Sequence, residues 1–194
     1  MKKLLSLLLF SGAVLPVLAG ALEIGFDKGT NPGWGFFIGM EAPGAQGNLV
    51  MMPEKVGIPA LPAARLEGAF NNGGWYVGMS RNLQKPVPFG KLTIKLASWD
   101  YNAIVVRLVD SSGQTHQMLI WLRSGGEWKE GVWKEFVIKR PKLSPHYWGG
   151  ANDGKWHGNL KSVMILVEGV GLMDRKKGQG FLYFNRIAIE APEA

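Results

Sequence analysis

The stretch KLTIKLAS, Lys91–Ser98, can bury its apolar side chains together in an extended chain, where Leu92, Ile94 and Leu96 share one face and Thr93 and Lys95 take the other. Successive side chains of a strand point to opposite sides, so this alternation is a strand signature. The same period runs through Ala103–Asp110, where Ile104, Val106 and Leu108 alternate with Arg107. It runs again through His116–Arg123, which sets Met118, Ile120 and Leu122 against Gln117, Leu119, Trp121 and Arg123. Phe181–Ile189 places Phe181, Tyr183, Ile187 and Ile189 on one side, with Asn185 among them. Ser162–Glu168 is almost continuously apolar, the pattern of a strand covered on both faces. Hardly any window beyond the first twenty residues keeps a helical apolar stripe for three turns, and 27 glycines and 11 prolines divide the chain into short segments.

Turn signals separate these runs: Asn71-Asn-Gly-Gly74, Asp110-Ser-Ser-Gly113, Ser124-Gly-Gly126 and Asn152-Asp-Gly154. Further strands are predicted over Leu22–Asp27, Gly35–Ile38, Ala64–Phe70, Trp75–Ser80 and Trp133–Lys139. About ten short strands with regularly spaced turns predict an all-β fold, an antiparallel two-sheet β-sandwich of jelly-roll type. Asn31–Pro62, rich in Gly, Pro and Met, is the one long irregular region and is expected to hold loops over one end of the sandwich.

The first residues, MKKLLSLLLFSGAVLPVLAGALE, combine Lys2 and Lys3 with an apolar run from Leu4 to Leu18 and small residues at Ala19, Gly20 and Ala21. This is the pattern of a secretory signal peptide, too short for a comfortable membrane span. Residues 1–21 are therefore expected to be cleaved, leaving 22–194 as one exported domain with no membrane insertion after cleavage. A domain of this size builds a core without staples. The absence of cysteine removes disulfides, thiol nucleophiles, thiolate metal sites and lipid attachment together. Twenty-two Lys and Arg against 15 Asp and Glu give a net charge of +7, two of which leave with the leader. Basic residues are scattered, Arg175-Lys176-Lys177 being the tight run, and an exported chain seldom meets nucleic acid. The positive balance is an ordinary solubility charge or a mild preference for acidic polysaccharide or an anionic cell surface.

The residues richest in chemistry lie in HYWGGANDGKWHG, 146–158, with two of the three histidines and two of the eight tryptophans. His146, His157 and Asp153 match no recognised metal-ligand spacing. No Gly-x-Ser-x-Gly elbow is present, and His116, opening a strand, reads as an ordinary strand residue. A glycoside hydrolase needs two carboxyls about 5–10 Å apart, for which Asp153 with Glu127 or Glu130 is the pair chemistry would choose. A polysaccharide lyase would want Tyr or His as base, and Tyr147, His146 and His157 keep that reading open. Sugar binding asks for less: aromatic platforms for pyranose faces and planar polar groups for hydroxyls. Tyr147, Trp148 and Trp156 would be the platforms, with Asn152, Asp153, Lys155 and His157 as the polar set. Trp128 beside Ser124–Gly126 and Trp75 beside Asn71–Gly74 add two loop aromatics. Equally, Trp148 and Trp156 could fold inward and plug the sandwich, with Asn152-Asp153-Gly154 a tight turn. Trp121 and Trp133 read as core or sheet-face residues.

The order KLTIKLAS, IVVRLVDSSGQTHQ, WKEFVIK, HYWGGANDGKWHGNLKSVMILVE, GFLYFNRIAIE over residues 64–190 resembles galactose-binding-like β-sandwich domains. These are similar to carbohydrate-binding modules and accessory modules of bacterial glycoside hydrolases. The resemblance implies non-catalytic binding of a polysaccharide or glycan, beside a catalytic domain or within a surface assembly. It also implies a structural calcium between the first and last strands, for which Glu23, Asp27 and Glu190 are the oxygen donors, with Asn185 a poorer one. Family closing strands often carry Asp where this chain has Asn185. Binding module, hydrolase or lyase, and structural or assembly domain are the three readings that stand.

Overall fold

The computed structural model describes residues 21–123 and 129–193, so residues 1–20 of the expected leader, the Ser124–Gly126 turn, Glu127 and Trp128 lie outside the described residues. The described chain is a sandwich of twelve strands in two antiparallel sheets with one short 3₁₀ turn at Gly169–Gly171. The strands are β1 Leu22–Glu23, β2 Gly35–Ile38, β3 Gln46–Met51, β4 Ala64–Ala69, β5 Tyr76–Val87 and β6 Lys91–Ser98. They continue with β7 Ala103–Asp110, β8 Thr115–Trp121, β9 Lys134–Lys139, β10 His146–Trp148, β11 Leu160–Glu168 and β12 Gln179–Glu190. The first sheet runs β3-β4-β12-β6-β9, with β1 beside the second half of β12; the second runs β10-β8-β7-β11-β5-β2. Among the described residues no helix is long and apolar enough to cross a membrane.

The alternating runs form the core as their period demands. Leu92, Ile94 and Leu96 of β6 face Ile104, Val106 and Leu108 of β7 and Val163, Ile165 and Val167 of β11 in one buried cluster. Each such side chain removed from water contributes about 1.5–3 kcal/mol, so this layer supplies most of the drive to fold. Trp133 is buried on a separate patch with Ala63 and Ala97, its indole N–H donated to Pro59 O at 2.9 Å.

Three expectations need correction. Asn31–Pro62 is not only loop: Gln46–Met51 pairs along the whole of β4 as an edge strand. His146–Trp148 is not loop either, but a short strand pairing with Gln117–Thr115 of β8. In the closing strand the core face holds Leu182, Phe184, Ile187 and Ile189, not one uniform set of alternate residues. A bulge between Phe184 and Ile187 shifts the register by one and swaps the faces. Phe181 and Tyr183 therefore lie outside, under Arg65 and against Trp99 respectively. Beyond the two residues of β1, Ile24 and Phe26 carry the same register on, donating to Ile187 O and Asn185 O.

Candidate functional site

Residues 146–158 are built around one buried carboxylate. Asp110, at the end of β7, is fully buried, as are Gln114 and His116. Its Oδ1 accepts from Ser112 N, Ser112 Oγ and Gln114 N at 2.9, 2.6 and 3.2 Å. Its Oδ2 accepts from His157 N at 2.9 Å and lies 3.1 Å from His116 Nε2. Burial alone would raise this carboxyl's pKa, but the hydrogen bonds from Ser112, His116, His157 and Gln114 together outweigh it and hold it below the usual range. The other ring nitrogen of His116 lies 2.9 Å from Ser144 Oγ. Asp110, His116 and Ser144 thus stand in the order of a hydrolytic relay, yet Ser144 is sealed at 1% exposure and no substrate carbonyl can reach it. The cluster anchors the loop.

Gln114 completes the anchor. Its Oε1 accepts from the amides of Asp153 and Gly154, and its Nε2 donates to Lys155 O at 2.7 Å. The Asn-Asp-Gly turn needs left-handed backbone: Asn152 sits at φ 52° and Gly154 at φ 75°, where a Cβ would press on the Tyr147 ring at 2.8 Å. Asp153 accepts from Lys155 N and pairs with His157 Nε2 at 2.9 Å, the His157 contact being the main reason its carboxyl sits below the ordinary range.

The structure divides the sequence-predicted residues rather than gathering them. Trp156 is half-buried against Phe89 and His116, ring centroids 5.0 Å away in each case, and its indole N–H is donated to Gly158 O. Trp148 is 43% exposed and lies opposite Thr115, on the outer face of the second sheet. Tyr147 is partly exposed beside the turn; Asn152, Asp153 and Lys155 are exposed, and His157 is half-buried. Trp75 is 65% exposed at a different place, just before β5. Asp153 and Glu130 do not form a pair. Asp153 sits by Lys155 and Trp156, which line a cavity with Gly90 and Lys91 at the start of β6, whereas Glu130 lines one with Trp99 and Asp100 beyond its end. Eight residues of strand, roughly 26 Å, separate those ends.

Of the oxygen donors expected to reach a calcium, Glu23, Glu190 and Asn185 each have another partner. Glu23 makes a two-pronged pair with Arg186, Glu190 is 3.0 Å from Lys91, and Asn185 Nδ2 donates to Pro62 O. No group of three or more His, Asp or Glu able to hold a metal occurs among the described residues.

The outer face of the second sheet carries a constellation the sequence did not announce. Register lines up Gln117, Arg107, Met164 and Ser80 in one row across β8, β7, β11 and β5. Arg107 donates through Nε to Gln117 Oε1 at 2.8 Å and through Nη1 to the Tyr76 hydroxyl at 3.3 Å. Its guanidinium lies 4.8 Å from the Tyr76 ring centre and 5.2 Å from that of Trp148. Tyr76 in turn donates to Glu41 Oε1 at 2.6 Å, which holds the Glu41 carboxyl below its ordinary pKa. Burial, then the bond to Glu41, raises that of Tyr76. Arg107, Tyr76, Trp75, Glu41, Glu168 and Arg175 line a groove of about 630 Å³. Trp121, 55% exposed, stands on the same face beyond Val105 and Leu119. Here an Arg fork, two carboxylates and the exposed Trp75 line one groove, with Trp148 beside the guanidinium and Trp121 farther along the same face, groups of the kind that can grip hydroxyl-rich rings.

No family model matches the chain, and neither does any curated protein sequence. Solved structures do match in fold. The family 11 carbohydrate-binding module of a cellulosomal cellulase of Clostridium thermocellum superposes with a TM-score of 0.55 at 16% identity, over 90% of this chain and 97% of that one. The family 11 module from Clostridium thermocellum in complex with a β-1,3-1,4-mixed-linked tetrasaccharide gives 0.51 at 17% identity, over 83% and 91%. An exo-β-agarase gives 0.51 at 13% identity, over 91% of this chain and 25% of the agarase. The fold is that of a carbohydrate-binding-module β-sandwich.

Proposed function

We propose that this chain is an exported, non-catalytic carbohydrate-binding module that takes a polysaccharide across the outer face of its second sheet. The observation that carries this reading is Arg107, held between Tyr76 and Trp148 beside the groove that also exposes Trp75. A guanidinium stacked on rings and tied by two hydrogen bonds is fixed in orientation, so its remaining N–H groups meet a sugar hydroxyl at little entropic cost. Trp148, Trp75 and Trp121 give pyranose faces their platforms. Trp156 anchors the loop that follows Trp148 at the end of β10. The solved module holding a tetrasaccharide and the agarase chain of similar fold support this reading, as does the leader-like N-terminus. The match to a quarter of the agarase suits a module that works beside a catalytic domain.

Affinity electrophoresis in gels containing mixed-linkage β-glucan, agarose and other neutral polysaccharides tests it. The chain is expected to be retarded by at least one, with retardation lost in Trp148→Ala and in Arg107→Ala while both remain folded by circular dichroism. Unchanged retardation in both variants would remove the groove from consideration.

A further inference from the structure

A second cavity, of about 610 Å³, opens at the end of the sandwich away from the groove, where the start of β6, the ends of β9 and β12 and the 155–156 loop meet. Its lining is strongly basic: Lys91, Lys139, Arg140, Lys142 and Lys155, with Trp156 among them. Two carboxylates, Glu190 and Glu193, also line it, and Glu190 is already paired with Lys91 at 3.0 Å. The strand register makes this arrangement costly for folding alone. Lys91 and Lys139 are direct cross-strand partners, and like charges facing each other across a sheet weaken it. Lys139, Arg140, Lys142 and Lys155 are all exposed, and no carboxylate comes within salt-bridge distance of any of them among the described residues. The site is also positioned rather than loose. Arg140 N donates to Gly90 O and Gly90 N to Glu190 O, tying the three strand ends together. Lys155 follows the turn that Gln114 clamps through Lys155 O, and Trp156 is braced by Phe89 and His116.

We infer that this cavity is an anion-recognising sugar site, which takes a polysaccharide unit bearing a sulfate ester or a carboxylate, distinct from the groove on the sheet face. The cations answer the anionic substituent, and the half-buried Trp156 offers an apolar surface for the ring that carries it. A cavity of this volume suits one or two sugar rings. A basic stripe for nucleic acid would run along a face with several stacking aromatics; here one indole lies in a closed cluster of cations. The inference extends the carbohydrate-binding reading but does not depend on the groove.

The test compares binding of the chain to dextran sulfate, polygalacturonate and a neutral dextran by titration calorimetry at low and high salt. The K139Q/K142Q/K155Q variant is set against K55Q/K129Q/K176Q, which removes equal charge from elsewhere. The wild type is expected to bind at least one of the two anionic polymers and not neutral dextran, the polymer bound naming the substituent. The cavity variant is expected to lose at least tenfold in affinity, and the remote variant less than twofold. Equal losses in the two variants mean a diffuse positive field and overturn the inference, as does absence of binding to both anionic polymers. Trp148→Ala separates the two sites. It should abolish retardation by neutral polysaccharide and leave anionic binding within twofold; loss of both would place charge recognition in the groove and overturn a separate cavity. Neutral binding that fails in the wild type while anionic binding survives would instead sink the groove alone.

Discussion

Trp156 rests against Phe89 and His116 with its N–H on Gly158 O, whereas Trp148 lies beside the Arg107 guanidinium and leaves much of its surface to solvent. Truncation should separate them. Trp156→Ala opens a hole beside the core and is expected to cost about 3 kcal/mol in urea unfolding. Trp148→Ala should change stability by no more than about 1 kcal/mol while abolishing retardation in a polysaccharide gel. Arg107→Lys keeps the charge but loses the planar fork that reaches Gln117 and Tyr76 together. Its retardation should fall well below wild type, and full retention would show that charge alone suffices.

At the scale of elements, Asp110 closes β7 and holds the end of the loop that leads into β11, through His157 N. Its carboxyl ionises more readily in the folded chain than in the unfolded one, because hydrogen bonds outweigh burial. Its contribution is therefore complete above the unfolded value of about 3.9 and is lost as pH falls below it through the folded value. Asp110→Asn leaves the amide of either Ser112 or His157 facing an NH₂ group. It is expected to cost about 3 kcal/mol near neutrality and to flatten the acid limb of the stability curve below about pH 4. An unchanged acid limb would mean another carboxylate sets it. The alternating strands were legible because β6, β7 and β8 each present one apolar face, and the sequence bounds of β2, β6 and β7 coincide with those observed. QGNLVM, β3, was not, since its apolar residues cluster at one end and it gains its partner from β4. Nor was the face swap in β12, because a bulge leaves no mark on composition. The candidate groove was only partly legible for a related reason. Trp148 and Trp75 stand out in sequence as aromatics among glycines, but Arg107 and Tyr76 meet over the intervening β11, and only strand order makes them neighbours.

For the whole molecule, one core spans both sheets, and the described chain should unfold in a single transition. Fluorescence and circular dichroism melts are expected to coincide; two separated transitions would mean the sheets fold apart. Glu23 and Glu190 already face Arg186 and Lys91, so EDTA should move the melting temperature by less than about 2 °C. A larger fall would reveal a bound cation. The place of β12 has a further consequence. It runs between β4 and β6 and also receives β1, so the last strand in the sequence is the middle of the first sheet. A chain of which residues 179–190 have not yet emerged leaves β4 and β6 as unmatched edges with no ladder between them. The first sheet therefore closes only when β12 is in place between its two halves.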